Sequence, residues 1–428
     1  MQLKVGNIFI KDLQFGPRTE VKNQTLFVNR EELTGHLLQD EHLAQVELEI
    51  THPGESVRIM PVKDVIEPRV KPDHDGGIFP GMVSKMFTAG QGTTHVLKGV
   101  SVVTTGKIVG YQEGIIDMSG PGAELCPFSK LHNLVIVANP VEGVTPYQHE
   151  AALRKMGLRA ANYLGEAARN VTPDETTEYE LLPLHKYHEL YPELPKVAYV
   201  YMLQSQGLLH DTYFYGVDVK NIVPTLIHPT EVMDGAIVSG NCVSACDKNT
   251  TYHHQNSPVI HDLLARHGKD LCFVGSVITN ENVTLLDKQR SSDLTAKLVE
   301  FLGVDGVIIS EEGFGNPDTD LMMNCTKIEN KGIKTVLVTD EYAGQDGTSQ
   351  SLADGSPLAT AIVSGGNANA LVTLPAMDKV IGNIDPVEVI AGGFKGGRQA
   401  DGSITVELQA IIGATNELGF NKLTAREY

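Results

Sequence analysis

From residue 234 onward, short apolar runs alternate with amphipathic stretches at a spacing compatible with few folds. Helical patterns are expected at 259–267, 287–302 and 318–330, and strands at 271–278, 304–310, 335–339 and 359–364. Parallel strands cannot be joined by tight turns and need a crossover helix, so this alternation predicts a doubly wound parallel sheet. Such sheets keep their chemistry beyond the carboxyl ends of the strands. Three loops should therefore converge on one crevice: 310–316 (SEEGFGN), 340–344 (DEYAG) and 364–367 (SGGN). Glu311, Glu312 and Asp340 would repel a dinucleotide phosphate, and no G-x-G-x-x-G run is present. A small amino acid fits better, with its ammonium near these carboxylates and its carboxylate on free backbone amides. Acidic loops of purely structural role are the alternative.

The first half reads differently. Strands are expected at 4–10, 25–29, 45–51, 57–62, 96–104 and 134–138, with one helix at 30–39. The longest helical pattern is 145–170, and the acidic, proline-bounded stretch 174–195 resembles a connection before a strand at 197–203. The fold class is thus α/β, a mostly-β N-terminal half followed by a doubly wound parallel C-terminal half. Three regions are expected: 1–140 β-rich, 141–233 helical and connecting, and 234–428 parallel α/β. The strand at 236–238 is assigned to the parallel sheet. His74 in the 68–80 loop, and His185 and His188 in the connection, read as solvated residues. The glycine-rich 114–126 loop lacks a Lys-Ser/Thr pair, so it is no nucleotide P-loop.

Net charge of −19 disfavours nucleic acid and anionic membranes as partners. The N-terminus lacks the apolar core of a signal peptide, and no run reaches membrane-spanning length. Five unpatterned cysteines argue against a disulfide framework, so a cytoplasmic location is expected.

The stretch 234–256, DGAIVSGNCVSACDKNTTYHHQN, delivers a thiol on a small, flexible loop. Gly240 and Asn241 tolerate positive φ, so the peptide before Cys242 can be held in an unusual conformation. There the thiol can attack the Asn241 carbonyl and convert the amide to a thioester. Loss of the Cys242 α-proton then expels the sulfur, and hydrolysis of the resulting dehydroalanine leaves a pyruvoyl group and a cut chain. A quiet turn with a buried thiol is the simpler reading of these residues alone. A metal site from Cys242, Cys246, His253 and His254 matches zinc spacings poorly, and none is expected.

The segment SGNCVSACDKNTTYHHQNSP, in a chain opening MQLKVGNIFIKDLQFG, resembles the α/β-chain precursor of component B of the glycine, sarcosine and betaine reductases from end to end. The resemblance implies an oxidoreductase subunit cleaved at Asn241/Cys242, with Cys242 as the source of a pyruvoyl cofactor. It implies glycine bound as a Schiff base and reductively deaminated to acetyl phosphate and ammonia. Partners implied are a selenocysteine-containing component B chain, the small selenoprotein A, component C and the thioredoxin system, in a hetero-oligomer. His253 and His254 are candidate bases. Sarcosine or betaine as substrate, an uncut ligand-binding protein, and a thiol enzyme with intact Cys242 stay open.

Overall fold

Lys196–Leu203 takes the pivotal place in a seven-stranded sheet because its two faces are both apolar. In the computed structural model, which describes all residues except 75, 76, 208, 241–243, 422 and 428, the sheet order is Thr225–Ile227, Cys272–Asn280, Lys196–Leu203, Gly306–Ser310, Lys334–Glu341, Ala361–Asn367, Thr424–Glu427. The inner five strands are parallel. Ala198, Val200 and Met202 pack with the helices Leu285–Leu302 and Asn316–Glu329, while Tyr199, Tyr201 and Leu203 face the opposite layer with Pro258–Arg266. A strand covered on both sides has no polar face, which is why it reads as a continuous apolar run.

Numbered along the chain, the five parallel strands lie in the order 2-1-3-4-5. The winding direction therefore reverses between Lys196–Leu203 and Gly306–Ser310, and the crevice opens beyond their carboxyl ends. The helices that set this winding are locally encoded: Thr284 caps Leu285–Leu302 through the Asp287 amide, and Gly303 ends it at φ 64°.

The doubly wound sheet is as expected, with three corrections. Both outer strands run antiparallel to their neighbours. Ile237–Val238 is not in this sheet; it pairs antiparallel with Tyr213–Phe214 in a small ribbon, because only two residues are extended before the chain turns against that hairpin. The 174–195 stretch is more than a connection, holding the strand Glu175–Glu180 and the helix Leu184–Leu190. Its acidic strand is the outermost partner of Gln2–Phe9, where charge protects an edge.

In the N-terminal half the apolar run 96–104 is divided. Gly99, at φ 95°, separates Gly92–Lys98 from Val100–Gly106, which join different sheets. Helix Pro146–Glu166 starts with a Thr145/Gln148 capping box and lies against Val100–Gly106. The C-terminal segment returns to this half: Lys379–Gly382 adds a parallel strand to Val57–Val62, and Ile411 bridges Ile115. Among the described residues no helix is long and apolar enough to cross a membrane.

Candidate active site

The residues flanking the thiol loop are packed on both sides of it. Before it, Gly240 presses on the hairpin backbone, where an added Cβ would lie 2.3 Å from the Asp211 carbonyl carbon and 2.5 Å from the Thr212 nitrogen. Gly240 is needed here for close approach and does not occupy the left-handed region. Asn241 and Cys242 lie outside the described residues. After it, Ser244–Asp247 enters the core between the two halves: Ala245 accepts from the Gly413 amide at 3.0 Å and Cys246 from the Thr415 amide at 3.3 Å.

The next residues are pinned to the N-terminal sheets. The Asp64 carboxylate accepts from the Thr251 amide (2.9 Å) and hydroxyl (2.7 Å), and Gln255 exchanges two hydrogen bonds with the Glu67 backbone. Burial pushes Asp64 up to about 6 despite those donors.

Beyond the strand ends at the point of reversal lies a group of buried carboxyls. Glu311 and Glu312 follow Gly306–Ser310, Glu281 follows Cys272–Asn280, and Asp340 is the last residue but one of the neighbouring strand Lys334–Glu341. Asp247 and Glu417 join them, all essentially inaccessible to solvent. Glu312 Oε2 accepts from the Gln204 amide (3.1 Å) and the Thr212 hydroxyl (3.0 Å), and its own amide donates to Glu281 Oε1 (2.8 Å). Thr339 donates to Glu311, and Thr415 to Asp340 Oδ2 at 2.7 Å. Cys246 Sγ lies 3.8 Å from both Asp247 Oδ1 and Asp340 Oδ2, with the Tyr342 hydroxyl at 3.7 Å.

These groups raise one another's affinity for protons. Burial, reinforced by neighbouring carboxylates, pushes Asp247 up to about 7 and Glu281, Glu311, Asp340 and Glu417 well above the carboxylate range. Burial likewise lifts Glu312 to about 7 although the Gln204 amide and the Thr212 hydroxyl oppose it. Among the described residues, Asp340 Oδ1, Glu281 Oε2 and both Glu417 side-chain oxygens have no hydrogen-bond partner on another residue. Buried polar atoms without partners are costly, and here several share one locale. An entering cation would supply what they lack while the carboxyls lose protons.

The structure thus brings Glu311, Glu312 and Asp340 together, as the loop positions imply, and adds Asp247, Glu281 and Glu417. Glu281 was findable, since it too follows a parallel strand; nothing in the sequence marks Glu417, brought in from the far C-terminus. The 364–367 loop contributes packing, with Gly365 against Thr415.

His253 and His254 lie on the short helix Thr251–Gln255, buried, with pKa values pushed down to about 3 by burial. His253 packs between Phe128 and Phe420, and its Nδ1 lies 3.1 Å from both the Thr250 amide nitrogen and the Lys248 carbonyl oxygen. His254 Nδ1 lies 2.6 Å from the Tyr201 hydroxyl, on the strand that borders the carboxyl group. Both rings are neutral, and among the described residues neither Nε2 has a hydrogen-bond partner.

The family model for glycine/sarcosine/betaine reductase component B subunits matches residues 1–426. The chain belongs to that family. Over 430 residues, covering both chains fully, it is 66% identical to a protein of Acetoanaerobium sticklandii named glycine reductase complex component B subunits alpha and beta. A Peptoclostridium acidaminophilum protein of the same name is 63% identical over 428 residues, and that organism's sarcosine reductase complex component B subunit alpha is 59% identical, each with full coverage of both chains. No solved structure matches the chain. Membership makes the chain a subunit of an oxidoreductase, and its relatives are named as components of complexes.

Proposed function

We propose that the chain is the precursor of the α and β subunits of a glycine reductase component B, cut between Asn241 and Cys242. The observation that carries this reading is the set of buried carboxyls, several with an oxygen that has no partner among the described residues, around Cys246 and Asp247, four and five residues beyond Cys242. In support, relatives of matching length bear one name for two subunits. The pyruvoyl group formed from Cys242 would supply an electrophilic carbonyl that condenses with a primary amine.

The residues present suit such a group and an amino-acid substrate. Glu311, Glu312 and Asp340 receive the substrate's ammonium, exchanging their own protons for its charge, in a site dry enough to make the attraction strong. His254, anchored by Tyr201, and His253 are the bases for the Cys242 α-proton and for later proton transfers; each neutral ring takes a proton at Nε2 when its Nδ1–H is donated, to the Tyr201 hydroxyl from His254 and to the Lys248 carbonyl from His253. The chain holds the substrate while a selenocysteine-bearing component B chain, selenoprotein A, component C and thioredoxin carry out the reduction in the cytoplasm. The 59% identity to the sarcosine protein supports a second reading, with a secondary amine in the same place.

Intact mass under denaturing conditions tests this. Protein from its native host, or co-expressed with partners, should give pieces of about 26 and about 20 kDa, since 46.3 kDa divides in proportion to the residues on each side of the cut. The smaller should be lighter by about 33 Da than its cysteine-started form, having lost hydrogen sulfide and ammonia and gained water. A single chain of 46.3 kDa would refute the cut.

A further inference from the structure

Far from the carboxyl group, at the edge of another sheet, two imidazoles point their Nδ1 atoms at each other. His52 follows the edge strand Leu43–Thr51, and His132 opens the adjoining strand His132–Pro140; the register that pairs Asn133 with Thr51 brings the rings together. Their Nδ1 atoms are 2.8 Å apart. Asp12 Oδ1, from the neighbouring strand Asp12–Phe15, lies 3.8 Å from His52 Nδ1. All three ligand atoms fall within 4.8 Å of one another.

We propose that Asp12, His52 and His132 form a binding site for a divalent transition-metal ion such as zinc. The donor set, two neutral imidazoles and one carboxylate with a fourth position open, is a common one for zinc. With ligand bonds of about 2.0–2.1 Å, tetrahedral geometry asks the two Nδ1 atoms to part by about half an ångström and the His52–Asp12 pair to close by about as much. Without an ion, the Nδ1 pair is bonded only if one ring holds its proton at Nδ1 and the other leaves it bare; a cation satisfies both lone pairs at once.

The surroundings are those that orient metal ligands. Asp12 Oδ1 accepts from the Leu13 amide (2.9 Å) and Oδ2 from the Gln14 side chain (2.5 Å), fixing the carboxylate. Glu55 accepts from the His52 amide at 3.0 Å and its charge reaches His132. The side chains of His52 and Asp12 are 33% and 37% exposed, so an ion has access. Bound there, the ion staples the Asp12–Phe15 strand to the edge of the second sheet.

The test is calorimetric titration of chelator-dialysed full-length protein with zinc chloride. One equivalent should bind, and His52→Gln, His132→Gln and Asp12→Asn should each weaken binding at least about tenfold, the lower end of what even an orienting neighbour costs. Cys246→Ser should leave that equivalent intact. Cobalt(II) provides a readout on the unaltered chain: four-coordinate ligand-field bands without thiolate charge-transfer absorption. No zinc binding, binding unchanged in both histidine variants, binding lost in Cys246→Ser, or a thiolate band would each overturn the assignment.

Discussion

Asp64 and Thr251 are joined twice, the carboxylate of a strand in the N-terminal half taking both the amide and the hydroxyl of the residue that opens the helix bearing His253 and His254. That clamp anchors the helix bearing the candidate bases to the N-terminal half. Asp64→Ala removes an acceptor from three donors, counting the Val65 amide at 2.8 Å. Leaving buried donors bare costs about 1–3 kcal/mol. Chain cleavage should slow along with the loss of stability. Normal cleavage in a variant that melts early would show that the clamp serves folding alone.

Gly240→Ala should be more damaging than its position in a turn suggests. The new methyl meets main-chain atoms at 2.3 and 2.5 Å, and a backbone cannot rotate out of the way. Overpacking of this kind costs about 1–3 kcal/mol or more. The variant should accumulate as an uncut chain on denaturing gels while retaining its circular dichroism spectrum. Wild-type cleavage in it would contradict a role for the tight approach.

The carboxyl group gives stability an unusual pH dependence. Asp64 near 6, and Asp247 and Glu312 near 7, are raised above their unfolded values. A group whose folded pKa is raised contributes fully below its unfolded pKa and loses that contribution as pH rises through the folded one. Melting temperature should therefore fall between about pH 5 and about pH 8, and Glu417→Gln or Asp340→Asn should flatten the fall, stabilising at the alkaline end with little effect at the acid end. Equal shifts at both ends would mean that these carboxyls are not protonated in the folded chain.

Arg58 is buried in a two-pronged pair with Asp117 at 2.7 and 2.8 Å and also donates to the Pro375 carbonyl at 3.0 Å. Arg58→Ala strands a buried carboxylate, and breaking such a pair costs about 3–5 kcal/mol. Denaturant titration should register that loss. The double variant Arg58→Met/Asp117→Leu should recover part of it.

Hydrophobic periodicity carried most of the fold, because helices and strands buried on known faces impose their spacing on the sequence. It failed where burial was partial or pairing local: the acidic edge strand Glu175–Glu180, and Ile237–Val238, whose partner is the nearby hairpin and not the large sheet. The site was legible only as far as strand ends reveal it. Glu311, Glu312 and Asp340 follow from topology, whereas Glu417 reaches them through a long return of the chain that no local pattern encodes. Gly240 was marked as special, but for torsional freedom and not for the contact with Asp211 and Thr212 that it makes.

The sheet order holds a consequence for any break between residues 240 and 244. Lys196–Leu203, upstream of that point, stands between two strands from downstream, and Val57–Val62 in turn carries Lys379–Gly382 at its side. The two pieces would be woven, not docked: each would lack part of its own interior, and parting them would be the same event as melting them. A protein cut there would have two chains but one cooperative transition, and neither chain made alone would have a native state to return to.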